Sequence, residues 1–181
     1  VKNGITTGTS ATTFSPDQGC TRGQVVTFLW RAAGSPDVAI SNAFSDVPSD
    51  QYYAKAVAWA VANNITVGVG NGKFAPNDVC TRGQIVTFLW RYEHSPVASG
   101  NSFSDVSSSA YYAEPVAWAV TNGITVGVGG NRFGKIWGSG HFSTRNKLRS
   151  WLKLSRITEA PGRPDHAAYT ERWCPIQIGH H

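Results

Sequence analysis

The sequence predicts a mainly α-helical protein built from tandem helix-loop-helix repeats. Three observations carry this. The dodecamer "CTRGQVVTFLWR" (20–31) recurs as "CTRGQIVTFLWR" (80–91), with one conservative change. A longer stretch, "FSDVPSDQYYAKAVAWAVANNITVGVGNGKF" (44–74), recurs as "FSDVSSSAYYAEPVAWAVTNGITVGVGGNRF" (103–133), with 21 of 31 residues identical. Within these copies the apolar residues follow a helical period. Self-similarity at a fixed spacing is the signature of repeat architecture.

One unit runs from FSDV through a first apolar segment, an ITVG turn and a GxF loop to CTRGQ and a second apolar segment. In the first segment Ala54, Val57, Ala58 and Val61 fall at i, i+3, i+4 and i+7, one face of a helix. Asn63-Asn64 and, in the next copy, Asn122-Gly123 are stop signals. The following "ITVGVGNGKF" is rich in glycine and β-branched residues and reads as extended backbone and turns. The second segment has a marked start. Thr81 fits as N-cap and Gln84 as N3, a T-x-x-Q capping box, with Cys80 placed to staple onto Ile85. Ile85, Phe88, Leu89 and Tyr92 form its apolar stripe, and Pro36 and Pro96 limit each second helix. Helices are therefore expected over 21–33, 52–63, 81–93 and 111–122.

The copies divide the chain. Residues 1–36 hold a first unit without its first half. Residues 44–96 hold a complete unit. Residues 103–134 hold the first half of a third, with a degenerate continuation to about 154 in which TRNK at 144–147 precedes Leu148, Trp151 and Leu152. Residues 155–181 form a tail that matches nothing upstream, the end of a C-terminal region, 135–181, that carries the basic excess. Such an abrupt change after Gly134 is what a shifted reading frame or a fusion junction gives.

Composition supports a packed core: 41% of residues are hydrophobic and 12% aromatic, so disorder is not expected. No apolar run reaches membrane-spanning length. The chain has no Met, so its first residue is not read as a native start, and the lack of a signal peptide says little about localisation. The net charge of +5 lies wholly beyond Gly134. Nucleic-acid binding is therefore disfavoured for the body of the chain, and in the tail it would be strongly salt-dependent.

Arg22 and Arg82 stand out. At N1 a cation faces the positive end of the helix dipole. A repeated unfavourable choice points to a partner. A helix N-terminus already attracts anions, and a guanidinium adds a bidentate fork for carboxylate or phosphate. Gly23 and Gly83, which follow directly, permit close approach. The competing reading is a structural or protein-interaction repeat module in which each arginine pairs internally with an acid such as Asp46, Asp78 or Asp105.

Taken together, FSDV, the aromatic-Ala pair, the GIT-VG turn, GxF and the TRxE-like helix start, in units of roughly 55–60 residues, resemble the S-layer homology (SLH) domain. The likeness covers about residues 1–134. It implies three repeats packed as a pseudo-threefold helical bundle, with grooves that bind secondary cell-wall polysaccharide, often ending in a pyruvylated, carboxylate-bearing sugar. It implies a non-catalytic anchoring module at the extracellular cell wall or S-layer, monomeric or part of a larger surface protein. By the same likeness the polysaccharide-contacting residues are Arg22 and Arg82, their neighbours Gly23 and Gly83, Asp46 and Asp105 of the FSDV motif, and Tyr53 and Tyr112 where the family usually has Trp. The usual TRAE reads TRGQ here, and the third arginine is missing in register, so at most two grooves carry theirs.

Other chemistry is disfavoured. Asp46 and Asp105 are one position in two copies, with no acid partner, so a turn role outweighs catalysis. Trp30, Trp59, Trp90 and Trp118 suit repeat packing better than sugar stacking. Cys20 and Cys80 read as small buried thiols. His141, Cys174, His180 and His181 lack metal-ligand spacing, so no metal and no cofactor is expected. "GVGNG" at 68–72 lacks the helix start and GK[ST] of a phosphate loop.

Overall fold

The computed structural model describes residues 18–134, apart from 42, 101 and 102, together with 5, 6, 8, 12 and 13. The degenerate helix expected within 144–154 and the basic tail lie outside the described residues.

Four helices follow in chain order: α1 (Arg22–Ala32), α2 (Ala54–Ala62), α3 (Arg82–Tyr92) and α4 (Ala113–Thr121). The fold is mainly α, as the repeat pattern predicts. Among the described residues strand pairing is limited to three isolated bridges, Thr21 with Val79, Gly70 with Lys73 and Gly129 with Arg132.

Both capping boxes form. Thr21 accepts from the Gln24 amide while Gln24 accepts from the Thr21 amide, and Thr81 and Gln84 do the same. Each box satisfies two amide donors that a helix start otherwise leaves unpaired. Helices α2 and α4 begin without a side-chain cap, at Tyr53 and Tyr112. They start two residues later than expected from the sequence.

The units interlock. α1 packs on α2 and α3 packs on α4, while α1 also touches α3. The second helix of one unit therefore pairs with the first helix of the next. One core runs through the whole described body, from Val25, Val26 and Leu29 through Phe74 and Cys80 to Val116 and Phe133. Trp59 and Trp118 are buried in it. Trp30 and Trp90 are half-buried, and their indole N–H groups donate to the carbonyls of Pro36 and Pro96 at 2.9 and 2.8 Å.

The motif letters have local causes. A Cβ on Gly68 would lie 2.5 Å from both the Lys73 carbonyl oxygen and the Phe44 ring, at φ +82°. A Cβ on Gly127 would lie 2.6 Å from the Phe103 ring. The glycine of ITVG is thus the seat for the phenylalanine of FSDV. This contact explains why the two motifs occur together.

Candidate functional site

Each TRGQ helix start is pressed against the loop of the following unit. The Arg22 amide donates to the Asp78 carbonyl at 2.9 Å, and the Gly23 amide to the Pro76 carbonyl at 2.8 Å. Two of the donors left over at the start of α1 are consumed by this contact. Gly23 has a packing reason. A Cβ there would lie 3.0 Å from the Tyr53 ring and 3.1 Å from the Pro76 oxygen. Gly83 stands likewise under Tyr112, at 3.1 Å. The space the sequence suggested for a ligand at these glycines holds the tyrosine of the next unit.

Both arginine side chains lie inside this joint, Arg22 at 4% exposure and Arg82 at 5%. The Arg22 Nε donates to the Phe74 carbonyl at 2.7 Å. Its guanidinium carbon lies 4.8 Å from the Phe74 ring centre and 5.2 Å from that of Phe88, within cation–π range. Its Nη2 is buried and has no hydrogen-bond partner among the described residues. Burial pulls the Arg22 pKa down, while Cys80, Asp78, Tyr111 and Asp46 act to raise it. Arg82 is held in another way. Its Nη2 donates to Thr125 Oγ1 at 3.0 Å and to the Val126 carbonyl at 2.9 Å. Its guanidinium lies 4.6 Å from the Phe133 ring centre. Burial pushes its pKa down to about 10, with Asp105 opposing. Both arginines are cations at neutral pH.

Asp46 and Asp105 act on backbone. Asp46 accepts from the amides of Phe74 and Ala75, both at 2.8 Å. Asp105 accepts from Phe133 at 2.7 Å and Gly134 at 2.9 Å. Burial acts to raise each carboxyl, but the two amide bonds outweigh it and hold each below its ordinary value. The aspartate of FSDV therefore clamps the GxF loop, and that loop supplies the phenylalanine that carries the arginine.

The resemblance noted in the sequence singled out Tyr53 and Tyr112. Tyr53 is 5% exposed, whereas the tyrosines that precede Tyr53 and Tyr112, namely Tyr52 and Tyr111, are 59% and 62% exposed. Burial, with Tyr112, pushes the Tyr111 pKa up, and Arg22 is close enough to oppose that rise. The Arg22 joint thus draws on three units: Arg22 from the first, Phe74, Asp78, Cys80 and Phe88 from the second, and Tyr111 from the third. Only the order of the two tyrosines at the helix start hinted at Tyr111, since one must face in and the other out.

This set of contacts joins every motif that defines the repeat. Residues 1–26, 43–86 and 102–134 match the S-layer homology domain, more than half of the chain. The chain belongs to the S-layer homology family. Its SLH repeats are similar to segments of larger proteins. Identity is 36% over 92 residues with a cell surface protein of Thermoanaerobacter kivui. It is 34% over 116 residues with an endoglucanase of Bacillus sp. (strain KSM-635). It is 29% over 136 residues with an amylopullulanase of Thermoanaerobacterium thermosulfurigenes. These matches cover 48%, 61% and 71% of this chain, but only 12%, 12% and 7% of the relatives. Membership places the SLH repeats here among surface-anchoring modules associated with the cell surface or cell wall. No described helix is long and apolar enough to cross a membrane.

Proposed function

We propose that this chain is a non-catalytic anchor that binds an anionic secondary cell-wall polysaccharide, with Arg22 taking a carboxylate of the glycan. The observation that carries this is the Arg22 Nη2: a buried guanidinium nitrogen without a hydrogen-bond partner among the described residues. An unsatisfied buried donor costs about 1–3 kcal/mol, which a ligand oxygen would recover. Tyr111, exposed at the rim, is the neighbour with room to move aside and then cover a sugar ring. Asp46, Gly23 and Tyr53 hold the joint from which Arg22 reaches, and Asp105, Gly83 and Tyr112 do the same for Arg82. A pyruvylated terminal sugar has the planar carboxylate that suits a guanidinium fork.

A second reading has its own support at Arg82. The Nη2 of that residue is already bonded to Thr125 and Val126 of the next unit, so Arg82 serves repeat packing. The chain then has one receiving arginine and one structural arginine.

Cosedimentation with purified cell-wall sacculi tests this. Arg22→Ala should weaken binding by about 10- to 150-fold, the equivalent of losing a charge-assisted contact of roughly 1.5–3 kcal/mol, with competing pyruvylated glycan releasing the wild-type chain. Arg22→Lys should restore only part, because an ammonium lacks the fork. Unchanged affinity in folded Arg22→Ala would overturn the assignment.

A further inference from the structure

Each copy of the dodecamer begins with cysteine, and the fold brings these two cysteines opposite one another. The Cys80 amide donates to the Cys20 carbonyl at 2.9 Å, and the Arg22 amide to the Asp78 carbonyl at 2.9 Å. Between these bonds Thr21 and Val79 form an antiparallel bridge. In that register Cys20 stands directly across from Cys80, and opposed residues project to the same side. The alternation is visible in burial. Val79 is 53% exposed on one side, whereas Cys80 is 0% exposed on the other and Cys20 packs against the same core. Both are thiols in this structure.

By register Cys20 and Cys80 take the position of a hydrogen-bonded pair, with the Cys80-to-Cys20 bond made; residues at such a position have Cα atoms about 5.5 Å apart, inside the window of about 4.4–6.8 Å that disulfides occupy. Their Cβ atoms, about 4.5–5.5 Å apart in such a pair, must close to about 3.5–4.5 Å. The bridge is isolated, with no ladder beside it to resist that movement. A cell-surface setting is also one in which disulfides persist.

We propose that Cys20 and Cys80 form a reversible disulfide that ties the first repeat to the second at the start of α1 and α3. The oxidant is a low-molecular-weight disulfide. The Cys20 thiol loses its proton, and the thiolate attacks one sulfur of the reagent. The reagent's S–S bond breaks, and one reagent thiolate leaves and is protonated. Cys20 now carries the other half as a mixed disulfide. The Cys80 thiolate then attacks Cys20 Sγ and displaces the second reagent thiol. Two cysteine thiols are oxidised and one reagent disulfide is reduced to two thiols. Cys20 is the first attacker because it is the more exposed of the two. The second step is the slow one. Burial pushes the Cys80 thiol up to about 12, with Arg22 opposing and Cys20 adding to the rise. The bond would fix the loop that carries Phe74, Pro76 and Asp78 against the start of α1, and so fix the setting of Arg22. The proposal stands apart from the anchoring reading, since it concerns the joint and not its ligand.

The test uses the full chain, incubated folded with oxidised glutathione and digested with trypsin without reduction. The peptide holding Cys20 should be joined to the peptide holding Cys80, and dithiothreitol should separate them. The oxidised chain should unfold at higher urea than the reduced chain. Cys20→Ser, at a half-buried position, should fold and lose both effects, while Cys174→Ser keeps both. Recovery of Cys20 and Cys80 on separate peptides, linkage of either to Cys174, or a Cys20–Cys80 link that forms only in urea would overturn the proposal.

Discussion

The joint where α1 meets the second unit and the joint where α3 meets the third are written with nearly the same letters, yet they hold their arginines differently. At the first, Arg22 spends its Nε on the Phe74 carbonyl and leaves Nη2 buried without a partner among the described residues. At the second, Arg82 directs Nη2 to Thr125 and Val126. The corresponding Thr66 hydroxyl instead accepts from the Gly68 amide at 3.1 Å. The first joint also has a cover from a neighbouring helix. α3 stands against α1, and its Phe88 covers the Arg22 guanidinium. A repeated sequence thus fixes its own caps and clamps, while the partner of a long side chain is set by whichever unit packs next to it.

The largest effects should come from the two phenylalanines that carry the arginines. Phe74 and Phe133 are both fully buried. Truncation of either to Ala should cost about 3–5 kcal/mol in urea unfolding. Wall binding per folded molecule should fall for Phe74→Ala alone, because only Phe74 supports the receiving arginine. Equal losses of binding in both variants would erase the functional difference between the joints.

Arginine removal sharpens the same contrast. Arg82→Ala leaves the Thr125 hydroxyl and Val126 carbonyl short of a donor and should lower stability by about 1–3 kcal/mol. Its affinity for sacculi should stay close to wild type. Arg22→Ala strands one acceptor, the Phe74 carbonyl, and so should cost less stability and more binding. Thermal unfolding and cosedimentation on the same preparations decide this. A stability order opposite to the one given would mean that the Arg82 bonds are not maintained in solution.

The glycines give a smaller split. Ala is favoured over Gly inside a helix by about 0.8–1.0 kcal/mol. At Gly83 the three nearest atoms among the described residues all belong to the Tyr112 ring, at 3.1–3.4 Å, and the ring can shift. At Gly23 it also meets the Pro76 carbonyl oxygen at 3.1 Å, backbone that is itself bonded to the Gly23 amide. Gly83→Ala should therefore be near neutral, and Gly23→Ala should be the less stable of the pair by about 1 kcal/mol. Equal midpoints in urea would mean that the Pro76 loop yields as easily as a ring.

Much of this was legible in the letters. T-x-x-Q specified both capping boxes, and the apolar period placed all four helices to within two residues at their ends. These are local properties, decided by neighbours three or four positions away. Gly23 was read as an opening for a ligand because a missing Cβ does not say what fills the space. Tyr53 fills it from another unit. The pairing of Arg22 and Arg82 with aspartates was drawn from charge alone. What the structure places on their Nε and Nη2 groups are Phe74, Thr125 and Val126, and backbone carbonyls carry no mark in a sequence. The aspartates instead hold amides 28 and 29 residues away. Only a repeated Asp beside a repeated GxF loop hinted at that.

The smallest effect is one in which the two joints should agree. Asp46 and Asp105 make the same pair of amide bonds, and both carboxyls sit below their ordinary value of 3.8. A carboxyl with a lower pKa in the folded chain than in the unfolded chain binds protons less readily when folded. Its contribution is therefore present in full above 3.8 and is lost as the pH falls through the folded value. Unfolding midpoints measured downward from pH 5 should drop in this acid range. Asp46→Asn and Asp105→Asn should each flatten the drop, and by similar amounts. Both residues are half-buried rather than enclosed, so solvent screens each group and the change at each is modest. If Asp46→Asn flattened the curve and Asp105→Asn did not, the asymmetry between the joints would reach down to the clamps, and the arginine difference would have to be traced to the GxF loops and not to the helix that stands behind α1.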